Sequence, residues 1–393
     1  MTRRILITGA SIAGNAAAWW LAHHGFEVTV VERAPAFRDG GQNIDIRGEG
    51  REVLRRMGME QQALDRGTGE QGTAWIDRRG RTVASIMTDE TTGDGPTAEM
   101  EILRGDLARL IYESACARAD FRFGDSIARI EETGAAACVT FESGRTEQYD
   151  AVVVGEGVGA ATRELVFPGE NDPRWMDMTI GYFTIPRTAT DKPLWRWYNA
   201  TGGRSVTLRP DNHGTTRAAL SIQKKPEGEQ DWDAARQKQF LRERFADAGW
   251  EAPRVLAAME TTEDFYFDVL RQVRMPRWSK GCVVLTGDAA WCATPLAGIG
   301  ASLAVTGAYV LAGELSRHDE AIQAFKAYET IMRPIAKQAQ GVPKIGPRVL
   351  NPHSAIGIGM LHALLRIATR PRVRNFAARL FTRQSDGPRI PHY

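Results

Sequence analysis

The sequence predicts an α/β fold. A parallel-sheet domain is interrupted by a mostly antiparallel β-sheet domain, completed late in the chain and followed by C-terminal helices. Three observations carry this. A glycine-containing turn, Gly9 to Gly14, joins an apolar run to a helix-forming segment at the N-terminus. From about residue 175 to 275 the apolar residues alternate with period two. The apolar run Cys282–Thr286 then restores the buried-strand pattern and leads through a Pro/Gly-rich loop into a long helical stretch.

Taken in order, Arg3–Thr8 is a short apolar strand, Ala16–Ala22 a helix that Gly25 is placed to cap, and Phe26–Glu32 a second strand ending on an acid. Together they make a βαβ unit of about 30 residues. Residues 49–66 read as one helix with Val53, Leu54, Met57 and Leu64 on its apolar side. Another helix is entered at Arg104 and turns Leu107, Leu110 and Ile111 inward. Ala151–Val154 is a further buried strand, closed by Gly155-Glu156-Gly157. The alternating runs are Thr179–Pro186, Leu194–Tyr198, Ser205–Arg209, Arg217–Gln223 and Asp264–Gln272, with one helix at about 231–248. Helices at about 300–316, 321–340, 354–368 and 371–383 finish the chain, broken by Pro343, Pro347, Pro352 and Pro371. The implied boundaries are 1–172 with 276–340 for the discontinuous nucleotide domain, 173–275 for the sheet domain and 341–393 for the helical tail.

Composition narrows the class. A chain of 393 residues allows two or three domains or one composite. With 43% hydrophobic and 25% charged residues it is an ordinary globular protein, and 39 Gly and 18 Pro are too few for a low-complexity chain. No run of about 18 apolar residues occurs, so no transmembrane helix is expected. The N-terminus lacks a signal-peptide pattern, and Cys116, Cys138, Cys282 and Cys292 have neither disulfide nor zinc spacing. A cytoplasmic location, reduced thiols and no metal are therefore expected. Residues 333–393 hold eleven basic residues and one acid, Asp386, leaving a net charge of −8 on residues 1–332. The basic tail lacks a row of stacking aromatics, so nucleic acid is not expected as a partner. Its apolar residues Ile358, Leu361, Leu364, Leu365 and Ile367 read as one broad side that docks across the two domains, with a membrane surface as the alternative.

Two motifs carry chemistry. Gly9-x-x-x-x-Gly14, enclosing Ser11, Ile12 and Ala13, lies between a strand and a helix. Such a turn sets a pyrophosphate on the helix N-terminus, giving a Rossmann-like domain. Glu32, followed by Arg33, ends the second strand, where a carboxylate accepts from both ribose hydroxyls and repels a 2′-phosphate. The ligand there is therefore FAD or NAD rather than NADP. Ser11 fills the slot usually held by a middle glycine, and its hydroxyl can donate to phosphate. The second motif starts at Gly287-Asp288 after a buried strand and runs through Pro295 and Gly298 into a helix opened by Gly300 and Ala301. Asp288 suits a ribityl hydroxyl. The helix N-terminus favours the negative charge that a reduced flavin carries at its N1–C2 edge.

In this order the motifs resemble the single-component (class A) FAD-dependent monooxygenases of the para-hydroxybenzoate hydroxylase fold. The nearest branch contains the tetracycline-inactivating monooxygenases. The resemblance covers roughly residues 1–340. Glu101-Ile102-Leu103-Arg104-Gly105-Asp106-Leu107 matches the family's Glu-x-x-Arg-x-x-Leu segment. It implies that Arg104 contacts FAD along its ribityl–pyrophosphate stretch and that Pro295 lines the ring site. It places Arg47, in Gly41–Gly48, near the substrate cavity. Glu156-Gly157 stands where the family has Asp-Gly, with Arg163 retained downstream; Trp291 and Ile299 replace a common His and Gln. The implied activity uses NADPH or NADH as transient reductant and O2. Oxygen passes through a flavin C4a-hydroperoxide to an aromatic or polycyclic, polyketide- or tetracycline-like small molecule. The chemistry is flavin-borne, with no side-chain nucleophile, FAD is non-covalent, and the protein is a monomer or homodimer. Tyr182, Phe183, Trp195, Trp197, Arg209 and Tyr266 are the candidate substrate contacts of the sheet domain. A flavin reductase without oxygen insertion remains an alternative. So does a flavoprotein binding an aromatic ligand without turnover, which the Glu156 departure motivates. Trp195-Arg196-Trp197 resembles a halogenase Trp-x-Trp but lacks the Ile-Pro that should follow.

Overall fold

The computed structural model describes residues 2–88, 98–133, 136–343, 345–370, 373 and 390–393. The N-terminal βαβ unit is the centre of a six-stranded sheet. Its strand order is Ser279–Lys280, Val283–Leu285, Ala151–Val154, Arg4–Thr8, Glu27–Glu32 and Asp120–Phe123. All neighbours run parallel except the short first pair. Such strands read as unbroken apolar runs because both faces are covered. The helices Ile12–His23 and Gly300–Arg317 pack on each other, and Leu6, Val153, Val284, Val305 and Leu311 are fully buried. Ala16, Ala17 and Ala18 let the two helix backbones approach closely.

The second sheet has seven strands, in the order Tyr266–Gln272, Arg174–Pro186, Thr215–Gln223, Arg204–Pro210, Trp195–Ala200, Gly72–Ile76 and Thr82–Met87. Its pairs are antiparallel except Trp195–Ala200 with Gly72–Ile76. Two strands therefore come from residues 72–87, a stretch that sequence reasoning assigned to the nucleotide domain. The stretch 49–66 is two helices, Gly48–Arg56 and Glu60–Asp65, separated at Gly58, whose φ of +72° is left-handed. Sequence reasoning also missed the helix Ala252–Thr261, which opens with Pro253 in its first turn and buries Val255 and Met259. The outer face of the large sheet is closed by this helix and Ala234–Phe245, through Leu241, Phe245, Val255 and Met259.

The tail helix Ala355–Ala368 packs on the strands Thr82–Met87 and Trp195–Ala200, and Asn199 Nδ2 donates to the Leu350 carbonyl at 2.8 Å. The last residues return to the nucleotide domain: Tyr393 stacks edge-on against Tyr309, and its hydroxyl donates to Glu314 Oε1 at 2.6 Å. The tail is thus pinned to the sheet at one end and to the nucleotide domain at the other. The expected helix at 371–383 lies outside the described residues, apart from Val373. Among the described residues, no helix is long and apolar enough to cross a membrane.

Candidate active site

Three strand ends converge on Gly9, whose N–H donates to the Val31 carbonyl at 2.8 Å and whose φ is +93°. A Cβ on Gly9 would lie 2.8 Å from the Gly155 carbonyl oxygen, and one on Gly14 would lie 1.8 Å from that of Gly9. Both glycines are obligatory for sterics alone. The first-turn N–H groups of Ile12, Ala13 and Gly14 have no partner within their helix, which is the usual arrangement for receiving a phosphate.

Ser11 makes no cap bond; its Oγ accepts from Arg104 Nη2 at 2.9 Å. The serine in the glycine slot therefore has a task, joining the phosphate turn to the Arg104 clamp. Arg104 opens the helix Arg104–Ala115 and donates its N–H to the Gln42 carbonyl at 2.9 Å. A Cβ on Gly105 would come within 1.5 Å of the Asp39 carbonyl oxygen, so the loop 39–42 is wrapped tightly over this helix start.

The Glu32 carboxylate is fixed by two backbone N–H groups, Ala10 to Oε2 and Ala34 to Oε1, both at 2.9 Å. Each oxygen keeps lone-pair capacity for a ribose hydroxyl. Arg33 is exposed beside it.

Asp288 follows Gly287, whose φ is +60° and whose hypothetical Cβ would strike Ala13 Cβ at 2.7 Å. The two motifs are therefore in contact. Asp288 opens into the cleft but lies deep within it. Withdrawal from water raises its carboxyl above the ordinary range, Arg104 draws it back, and the Cys292 thiol is bonded to it. Ser11, Arg104 and Asp288 thus line one extended trough.

The loop beyond is strained. Thr294 has φ +77° and ψ 153°, and its Oγ1 is buried without a partner in the protein. For a β-branched residue that backbone costs about 1–3 kcal/mol. Pro295 follows, then Gly298 at φ +66°, then the helix start at Gly300 and Ala301. Ser302 Oγ accepts from the Arg47 N–H at 2.9 Å, while the Arg47 guanidinium pairs with Asp45 at 2.9 Å.

Glu156 does not face this trough as a free acid. Its Oε2 accepts from the Thr162 N–H at 3.0 Å and its Oε1 from the Thr162 hydroxyl, bracing the helix Ala161–Val166. Arg163 is buried on the carbonyls of Ala289 and Val158, and Gly157 turns the chain at φ +86°.

Opposite lies the inner face of the large sheet. One rung across it carries Trp75, Trp197, Thr207, Ala219, Tyr182 and Tyr266 in register. The next places Trp195 at the end facing Arg209. Tyr266 lies within the electrostatic reach of Arg104 and Asp288, so this rung runs outward from the trough. Phe183 does not belong to it. Strand alternation turns Phe183 outward, where it is 0% exposed among Leu241 and Phe245.

Arg209 is not free for a ligand either. It pairs with Glu70 at 2.8 Å and Glu101 at 3.0 Å, and stacks on the Trp195 ring at 4.4 Å. Burial pushes the Glu101 carboxyl up to about 8, against the pull of Arg209 and with the push of Glu70. Glu101 Oε2, Asn43 Oδ1 and the indole N–H groups of Trp195 and Trp197 have no hydrogen-bond partner in the protein. Sequence reasoning gave Glu70 and Asn43 no role. The signal for Glu101 was its place three residues before Arg104. A cavity of about 460 Å³ also exists on the outer side, lined by Ile76, Arg78, Lys192, Arg196 and Trp250. It contains none of the candidate flavin residues and lies across the sheet from the trough.

The glycine cradle, the helix N-terminus, the ribose acid, the Arg104 clamp and Asp288 fit FAD. The comparisons agree. The model of the FAD binding domain family matches residues 2–341. The chain is 31% identical to the FAD-dependent monooxygenase asL6 of Sarocladium schorii, covering 100% of this chain and 98% of that one. It is 35% identical to a flavin-dependent monooxygenase from an unknown prokaryotic organism, over 86% and 87% of the two chains. The crystal structure of the tetracycline destructase Tet(55) superposes with a TM-score of 0.83 at 30% identity, covering 100% of this chain and 99% of that one. The chain belongs to the FAD binding domain family, and within it to the class A FAD-dependent monooxygenases that include the tetracycline destructases.

Proposed function

We propose that the protein uses NADPH or NADH and O2 to hydroxylate an aromatic or polycyclic, polyketide- or tetracycline-like small molecule. The substrate lies between the flavin and the inner face of the large sheet. The observation that carries this reading is the rung of Trp197, Tyr182 and Tyr266, which leads from the Arg104–Asp288 trough across an aromatic wall. Such a wall suits a planar molecule.

Bound FAD supplies the redox and oxygen chemistry. This chain's residues do the rest. The N–H groups of Ile12–Gly14, with Arg104 held on Ser11, hold the pyrophosphate. Glu32 takes the adenosine ribose and Asp288 a ribityl hydroxyl. The helix start at Gly300 and Ala301 favours negative charge at the ring edge. Thr294 and Pro295 shape the backbone beside the ring, and the aromatic rung orients the substrate and excludes water. Glu156, bonded to Thr162, braces the helix Ala161–Val166 in this reading.

The test is oxygen uptake and NAD(P)H oxidation with a panel of polycyclic phenols, with products weighed by mass spectrometry. The expected result is stimulation by some member and a product heavier by one oxygen atom. NAD(P)H oxidation that no phenol stimulates, with peroxide as sole product, would favour the reductase reading. Acid precipitation should release yellow flavin into the supernatant; colour kept in the pellet would contradict non-covalent binding.

A further inference from the structure

The tail helix Ala355–Ala368 is apolar on two opposite sides. One side carries Ile358, Leu361 and Leu365 and is turned to the sheet, with Leu361 only 7% exposed. The other carries Ile356, Met360, Leu364 and Ile367, which are 78%, 69%, 57% and 50% exposed. These four lie within an arc of about 80° at 100° per residue. The sequence pattern placed Leu364 and Ile367 with Leu361; the structure separates them. A helix apolar all round belongs in an interior or a membrane, and one of its sides has neither here.

The charge carried by this stretch of chain is of one sign. No Asp or Glu occurs between Glu329 and Asp386 in the sequence, and Arg366 and Arg370 fall beside the stripe at 100° per residue, while Asp77, paired with Arg81, lies toward His362. A second copy laid on this stripe would bring the same cations against themselves. A surface of anionic lipid is complementary to both the stripe and the arginines.

We propose that this face binds peripherally to an anionic membrane. The helix lies in the interface plane, its outer stripe enters the acyl boundary, and Arg366 and Arg370 meet lipid phosphates. With 14 residues, and with its inner side held on the sheet, the helix lies on the bilayer rather than spanning it. The proposal goes beyond the catalytic reading and does not rest on it.

The test sediments the full-length, flavin-loaded protein with vesicles of equal phosphatidylglycerol and phosphatidylcholine, and with phosphatidylcholine alone. The protein should pellet with the first at low salt, be released as salt rises, and stay in solution with the second. The double variant Met360→Asp/Leu364→Asp keeps Leu361 on the sheet. It should retain colour and melting temperature while partitioning about ten-fold or more weaker. Ile322→Asp, at an apolar residue 51% exposed on another helix, should partition like the parent. Failure of the parent to bind anionic vesicles, or unchanged binding of the double variant, overturns the proposal. So does a lipid-free dimer in sedimentation velocity that the double variant abolishes, because that assigns the stripe to a second copy.

Discussion

On the outer face of the seven-stranded sheet, Phe183, Val206, Leu208 and Leu220 meet Leu241, Phe245 and Met259 in a sealed apolar layer. On the inner face the same strands carry Tyr182, Trp195, Trp197, Thr207 and Arg209, with buried polar atoms that no protein group satisfies. Alternation puts both sets on one backbone, so the contrast is one of side-chain chemistry alone. The outer face also buries charge, Arg196 and Arg254 on Asp191, but those cations hold its carboxyl low. On the inner face Glu101 is pushed up instead, beside Glu70 and buried polar atoms without partners, an arrangement that lowers stability and is characteristic of ligand-facing walls.

The strongest way to break this contrast is at the outer face. Phe245→Ala should destabilise the protein by about 3–5 kcal/mol, read as a fall in the denaturation midpoint, while KM for the substrate stays near the parent value. A variant with normal stability and a large KM effect would mean that the outer layer reaches the site.

Arg209→Met probes the inner face. It leaves Glu70 buried without its cation, a loss of about 3 kcal/mol, at the low end for a broken buried pair because Glu101 already holds a proton at neutral pH. Adding Glu70→Gln should restore part of it. If the double variant is no more stable than the single, the cluster is not the unit that its geometry indicates.

Trp197→Phe should cost less than about 1 kcal/mol, because the indole N–H it removes has no partner to lose. Its effect belongs in KM, raised about five-fold through the smaller ring face offered to the substrate. Unchanged KM with lowered stability would make Trp197 ordinary packing.

These expectations also mark what the sequence made legible. The nucleotide half was readable because backbone sterics decide it: Gly9 and Gly14 admit no Cβ, and the acid after the second strand sits where its neighbours' N–H groups fix it. The inner face was less readable because its partners are distant. Arg209 and Glu70 are 139 residues apart in the chain, and no local pattern announces that the arginine is neutralised by carboxylates rather than offered to a ligand. Gly72–Ile76 joins the large sheet by a parallel pairing with Trp195–Ala200, which a period-two pattern cannot reveal. Phe183 was misplaced because Ile180, Tyr182, Phe183 and Ile185 put apolar side chains on both faces of one strand. Alternation separates the faces without saying which one meets the helices.

The smallest expected effect is the most specific to the inner face. Glu101 is held near about 8, above its ordinary 4.5, by burial beside Glu70 and Asp45, with Arg209 and the Asn43 amide opposing. Between those limits the native state keeps a proton on Glu101 that the unfolded chain has released. The native state therefore binds more protons, and stability must fall as pH rises through this window. The contribution is fully present below about 4.5 and lost as pH passes about 8. The Asp191 and Asp264 carboxyls, held low against burial by hydrogen bonds and arginine partners, titrate below this window; burial also raises Asp268 and Asp288, so the share of Glu101 is the part of the slope that its substitution removes. Urea denaturation of the holoprotein between about pH 6 and about 8.5 should show the decline, and Glu101→Gln, which keeps an acceptor for Arg209, should flatten it. A slope unchanged in Glu101→Gln assigns the whole titration to other groups and overturns this reading of the inner face.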